Sequence, residues 1–275
     1  MGDPLNREIK CYAIHYSPLV ERRKFLESAL NEVDVEWITE DLVIVESYSW
    51  RHTRRVFGVT RRRIAADLGI NARSLSRTRQ RAKRESHLYQ FASFLGPRFK
   101  KTTFGSLPND NRLPKRILEL SAMHIHAILL FLQENEEWGL FLEDDSVFDE
   151  EGLNQARLIA KLSKQRPTWI NLNDGAGLKR TNSDPAVDEI GLFRVEPPTT
   201  RCSSAYMINR EYALRFKDLI MVHGLPDWLP IDLIFQVANR KMSAESYWSE
   251  PAKFVQGSSA GIYKSNLESL RTTTD

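Results

Sequence analysis

The run Trp138-Gly-Leu-Phe-Leu142 is apolar throughout and leads directly into three acids, Glu143, Asp144 and Asp145. A short, unbroken apolar run reads as a strand buried on both faces. Strands of that kind belong in the middle of a mostly parallel sheet covered by helices. The rest of the chain supplies matching partners. Ile9 to His15 is another short apolar run, ending at Tyr16-Ser17-Pro18. A helix is expected from there to about Leu30, with Ser17 as its cap, Pro18 in its first turn and Leu19, Phe25, Leu26, Ala29 and Leu30 on its apolar face. Val33 to Thr39 alternates with period two and reads as a second strand. This is a βαβ opening, so the expected class is α/β: a Rossmann-type, mostly parallel sheet flanked by helices.

Further along, Leu113 to Gln133 has helical spacing, with Ile117, Leu120, Ala127, Ile128 and Phe131 turned inward. Asp149 and Glu150 open a helix reaching about Ser163. Thr168–Leu172, Leu192–Val195, Ser204–Ile208 and Glu245–Trp248 read as strands, and Glu211–Met221 and Ile231–Arg240 as helices. The segment 46–112 departs from this rhythm. It is rich in Arg and Ser, helical in pattern from about Thr60 to Leu95, and reads as a basic, mainly helical insertion within one catalytic domain spanning 1–275. Between Arg51 and Arg84 stand twelve Lys/Arg and one acid, Asp67, a local charge of +11, which leaves the remainder of the chain at −8. Such a block points to an anionic partner or surface, or forms a solvated helical face.

No apolar run reaches the ~18 residues of a membrane span, and Met1 to Lys10 is too polar for a secretory signal. The two cysteines, Cys11 and Cys202, read as reduced thiols. A cytoplasmic protein is expected, one that can sit peripherally at the inner membrane through 51–84.

The acids after the Trp138–Leu142 strand carry the sharpest chemistry. In open α/β sheets ligands bind at the carboxyl ends of the strands. Three adjacent carboxylates repel one another there unless a cation offsets them. A divalent ion with oxygen ligands does so and can bridge two phosphate oxygens. Acids after a strand also cap helices, but Asp149 stands where that cap is needed.

With these residues in view, Leu120-Ser121-Ala-Met-His124-Ile-His-Ala127 followed by Leu142-Glu-Asp-Asp145 resembles the core of the family 25 glycosyltransferases, which include lipopolysaccharide sugar transferases and collagen galactosyltransferases. Four further stretches fall in the family's order: Tyr12 to Arg22; Thr200-Arg201 with Ser204-Ala205-Tyr206; Leu229-Pro230-Ile231-Asp232; and Tyr247-Trp248 to Pro251 with Gln256-Gly257-Ser258. The match covers Ile9 to Trp37 and Glu119 to about Ser265. It has no counterpart for 46–112, and the family's Gly-Glu-x-Gly-Cys lead-in is absent before His124. The resemblance implies a GT-A fold, a nucleoside-diphosphate sugar donor (usually UDP-linked), Mn²⁺ or Mg²⁺, and inversion at the anomeric carbon.

On that footing Glu143 and Asp145 are the expected metal ligands. Asp144, His15, Arg22, Arg201, Gln256, Gly257 and Ser258 are expected around the donor diphosphate. Inversion needs a general base for the acceptor hydroxyl; Asp232 is the candidate and Asp174 the alternative. His124 reads as a structural helix residue, and Trp228 as a core residue or a sugar platform. The acceptor would be a glycan or a lipid-linked glycan. Two other readings compete: a helix-turn-helix-like DNA-binding segment at 61–84, and a metal-dependent hydrolase built on the same acids.

Overall fold

The computed structural model describes residues 9–44, 50–51, 55–56, 59–60, 115–175, 190–196, 198–226 and 229–264. Most of the expected insertion at 46–112, the helix-turn-helix-like segment at 61–84 and Trp228 lie outside the described residues. From the insertion, only three two-residue strands are described.

The elements alternate along the chain. β1 (Lys10–His15), α1 (Val20–Ala29) and β2 (Asp34–Thr39) form the expected βαβ unit. The short strands β3 (Trp50–Arg51), β4 (Arg55–Val56) and β5 (Val59–Thr60) follow. Then come α2 (Lys115–Phe131), β6 (Trp138–Glu143), β7 (Ser146–Phe148), α3 (Glu150–Ala160), β8 (Thr168–Asn171) and β9 (Leu192–Arg194). The chain continues as β10 (Ala205–Asn209), α4 (Arg210–His223), β11 (Leu225–Pro226), α5 (Ile231–Lys241), β12 (Glu245–Ser249) and β13 (Phe254–Gln256).

Seven strands make one sheet in the order β2-β1-β6-β10-β8-β12-β9. β1 runs parallel to both β2 and β6, and β12 runs parallel to β8. β10 is antiparallel to β6 and β8, and β9 to β12, so five strands share one direction and two oppose it. The chain is therefore mixed α/β, with a large, mostly parallel sheet flanked by helices, compatible with a Rossmann-like fold.

The apolar run of β6 explains its central place. Leu140 and Leu142 pack on one face with Cys11, Leu26, Ile159 and Met207. Phe141 faces the other side, against Tyr12, Phe131, Tyr206 and Phe235. Both faces are dry, so polar residues at either would cost the desolvation of unpaired groups. The second face carries an aromatic ladder across four neighbouring strands. Ring centroids are 5.0 Å apart for Tyr12–Phe141, 5.0 Å for Phe141–Tyr206 and 4.2 Å for Tyr206–Trp169, all stacked. Each such pair adds about 0.5–1.5 kcal/mol beyond its buried area. The rungs are laid by register, since Tyr12 and Tyr206 both stand opposite Phe141.

Helix starts mostly follow local chemistry. Asp149 caps α3 by accepting from the Gly152 amide at 3.1 Å, as expected, and Asn209 caps α4 by accepting from Tyr212 at 3.0 Å. The expected cap at Ser17 is corrected. α1 begins two residues later, with Leu19 at the cap position and no side-chain cap bond. Ser17 instead donates its amide and hydroxyl to Glu40, at 2.9 and 3.1 Å. The Glu40 carboxylate takes the serine's amide and hydroxyl hydrogens in charge-assisted bonds, which turns the side chain away from the helix amides it would have accepted from as a cap. Among the described residues no helix is long and apolar enough to cross a membrane.

Candidate active site at the carboxyl edge of the sheet

β1 and β6 end side by side, with Ile14 opposite Glu143. His15 and the three acids therefore emerge at one edge. β8 ends there too, followed by Asn173, Asp174 and Gly175. Because β10 is reversed, its entry, Thr200 to Ser204, comes in at the same edge, where the Glu143 amide donates to the Ser204 carbonyl at 2.7 Å. Thr200 donates its hydroxyl to the Asp232 carbonyl at 2.9 Å, tying in the start of α5. The expected site residues are thus gathered around one sheet edge from six separate stretches of chain.

The three acids have different surroundings. Asp144 is buried and fully partnered. Its Oδ1 accepts from Arg22 at 2.8 Å, and its Oδ2 accepts from the Tyr16 amide at 3.0 Å and lies 3.2 Å from His15 Nδ1. Its charge is offset by the Arg22 guanidinium. Arg22 also donates to the Lys264 carbonyl at 2.7 Å and lies 5.0 Å from the centre of the Tyr263 ring. His15, Arg22 and Asp144 are therefore brought together, bonded to one another, and they anchor the C-terminal segment.

Glu143 lies on the other side of the strand end. Its Oε1 accepts from Ser203 Oγ at 2.7 Å and lies 3.2 Å from His124 Nε2. Asp145 is the least satisfied. Its Oδ2 accepts from Ser258 at 2.6 Å, while its buried Oδ1 accepts no hydrogen bond among the described residues. Burial pushes its carboxyl up to about 7, and the neighbouring charge of Glu143 pushes in the same direction. Among the described residues no three His, Cys, Asp or Glu side chains converge as a ready metal cage. Two neighbouring carboxylates, one with a buried oxygen that accepts no hydrogen bond among the described residues, nevertheless suit a hard divalent ion that takes its remaining ligands from phosphate and water.

The segment after β13 lies across these acids. The Gly257 amide donates to the Asp145 carbonyl at 2.7 Å, and the Ile262 and Tyr263 amides return to the Gly257 carbonyl. A Cβ at Gly257 would stand 2.5 Å from the Tyr263 ring and 2.9 Å from the Asp145 carbonyl, so only glycine lets the strap approach this closely. Gln256 turns aside, accepting from Ser259 at 2.8 Å.

Asp232, in the first turn of α5, is raised to about 6, mainly by burial and partly by the charge of Glu143. Asp174 stands near Arg201, whose guanidinium is lowered to about 10 by burial while Asp174 opposes that shift. Arg201 is ion-paired with Glu250, donates to the Asn173 carbonyl at 3.1 Å, and stacks 4.2 Å over Trp248. Its stem fills the space beside Gly175, whose φ of +61° and missing Cβ make room for it.

Two participants escape the sequence reading. Ser203 holds Glu143, and nothing in Cys202-Ser-Ser204 distinguishes it from its neighbours. His124, read as a structural helix residue, touches Glu143 as well. Helical spacing places it on the buried face, but only the sheet register brings it to the strand end.

No protein-family model matches the chain, and no curated protein is significantly similar to it in sequence.

Proposed function

We propose that this chain is a metal-dependent glycosyltransferase of GT-A type, moving a hexose from a nucleoside-diphosphate donor to a hydroxyl of a glycan or lipid-linked acceptor with inversion. One observation carries the reading: Glu143 and Asp145 stand together at the carboxyl end of β6, and the buried Oδ1 of Asp145 accepts no hydrogen bond among the described residues. Asp144 is ion-paired with Arg22, and among the described residues neither Glu143 nor Asp145 has a lysine or arginine ion pair. The motif order of the family 25 glycosyltransferases supports the same assignment.

Glu143 and Asp145 would hold Mn²⁺ or Mg²⁺. When bound, the ion supplies Lewis-acid stabilisation of the charge that grows on the departing diphosphate. The chain's own residues account for the rest. Asp144, fixed by Arg22 and His15, keeps the strand end rigid and gives the donor side a defined wall. Ser258, bonded to Asp145, and the Gly257 amide region form a strap that can cover the diphosphate and exclude water. Asp232, raised to about 6, is ionised at neutral pH yet basic enough to accept the acceptor's hydroxyl proton. Asp174 is the alternative base. It stands near Arg201. The basic stretch 51–84 is assigned to the anionic acceptor or to a membrane surface carrying it.

The test is product analysis. Purified protein is incubated with Mn²⁺ and a panel of nucleotide sugars. Release of nucleoside diphosphate together with the intact sugar, slowly to water and faster to an acceptor glycan, is expected. Release of nucleoside monophosphate would mark a phosphoesterase and overturn the proposal.

A further inference from the structure

His124 sits in α2, with its imidazole wholly buried. Both ring nitrogens are engaged. Nδ1 lies 3.0 Å from the Tyr206 hydroxyl, and Nε2 lies 3.2 Å from Glu143 Oε1. The ring has little freedom to turn: Tyr206 stacks on one side at 5.7 Å and Phe235 meets it edge-on at 6.0 Å. Tyr206 is itself clamped in the aromatic ladder between Phe141 and Trp169.

This arrangement fixes the proton. A carboxylate only accepts, so the nitrogen facing Glu143 must carry hydrogen. A neutral imidazole then presents a bare Nδ1, and the Tyr206 hydroxyl donates to it. The chain Tyr206 O–H to Nδ1, Nε2–H to Oε1 is complete, and the opposite tautomer would set two lone-pair-bearing atoms against each other. Ser203 donates to the same oxygen at 2.7 Å. Both hydrogen bonds fall on Oε1, which fixes the carboxylate's rotation, and among the described residues Oε2 accepts no hydrogen bond.

We propose that His124 is a positioning residue for Glu143: with its tautomer set by Tyr206, it orients the carboxylate so that one oxygen is consumed and the other is presented to a divalent cation. The inference rests on the metal reading of Glu143 and Asp145 given above. Groups that orient ligands in this way typically alter metal affinity about 10- to 100-fold when removed.

Two substitutions separate orientation from packing. In His124→Gln the amide nitrogen can stand where Nε2 stands and still donate to Glu143. In His124→Asn the amide overlays Nδ1, keeps Tyr206 satisfied and falls short of Glu143. Binding of Mn²⁺ alone to the full chain is measured by the loss of its free aquo-ion electron paramagnetic resonance signal, with melting temperature followed in parallel. Wild type should bind one ion; H124Q should stay within about threefold, and H124N should weaken about 10- to 100-fold. Tyr206→Phe, which frees the tautomer, should weaken binding by a smaller factor, and it carries the test if H124N does not fold. Wild-type binding with H124N and Tyr206→Phe unchanged overturns the positioning role alone. Equal losses in H124Q and H124N also overturn it, because packing would then suffice. A wild-type protein that takes up no Mn²⁺ overturns the metal reading and this inference with it.

Discussion

Three consecutive acids end one strand, and three different electrostatic environments receive them. Asp144 turns toward α1 and meets Arg22 at 2.8 Å in a buried pair. Arg22→Met would leave that carboxylate stranded. A loss of about 3–5 kcal/mol in denaturant-measured stability is expected, together with release of the Lys264 carbonyl it holds. Asp145 is the converse case. Its folded carboxyl is raised to about 7, above its unfolded value, so the folded state binds the extra proton. Stability from this group is then greatest in acid and falls as pH rises from about 4 to about 7, flattening above. Asp232, raised to about 6, adds the same sign over a narrower window. In metal-free protein the melting temperature should fall between pH 5 and 8 through these groups, and Asp145→Asn should shrink the fall. A wild-type profile that rises over that range, with no difference in the variant, would contradict the burial argument. For activity, Asp232→Asn is expected to lower kcat by about 10²–10⁴-fold with little change in donor affinity. It should also abolish the rise in rate through pH 6, because the base must be ionised to work.

At the scale of elements, the strap after β13 is bonded to Asp145 through Gly257 and Ser258. Gly257→Ala would drive a methyl into the Tyr263 ring and the Asp145 carbonyl. A cost of about 1–3 kcal/mol is expected, with raised susceptibility to proteolysis confined to the C-terminal segment. Much of the frame was legible from pattern. β1, β2, β6 and β8 are short apolar or alternating runs, and α2, α4 and α5 have clear periodicity. β7, β11 and β13 were not, because two or three residues hold no period; they exist through pairing, as when Val147 finds Val255. The reversal of β10 was equally invisible. A strand buried on both faces reads the same in either direction, yet this reversal delivers Ser203 and Arg201 to the site. The Ser17 cap failed for a related reason: its partner, Glu40, lies 23 residues away.

For the molecule as a whole, a stacked aromatic ladder packs one face of the sheet, and His124 stacks on its Tyr206 while lying 3.2 Å from Glu143. The acids lie near the middle of the sequence, and the candidate base and the strap lie in its C-terminal part. No local motif could have shown that Asp232 and Asp145 both feel the charge of Glu143. The most direct measurement of the central claim is a thermal-shift titration of wild type and Asp145→Ala with a panel of nucleoside diphosphates, with and without Mn²⁺. A ligand that binds only the folded state raises the melting temperature with its concentration. Expected is a concentration-dependent rise for one nucleoside diphosphate in wild type, only when Mn²⁺ is present, and none in a folded Asp145→Ala. An equal rise in that variant, or a rise without the metal, would contradict the assignment of Glu143 and Asp145 as the diphosphate's metal site.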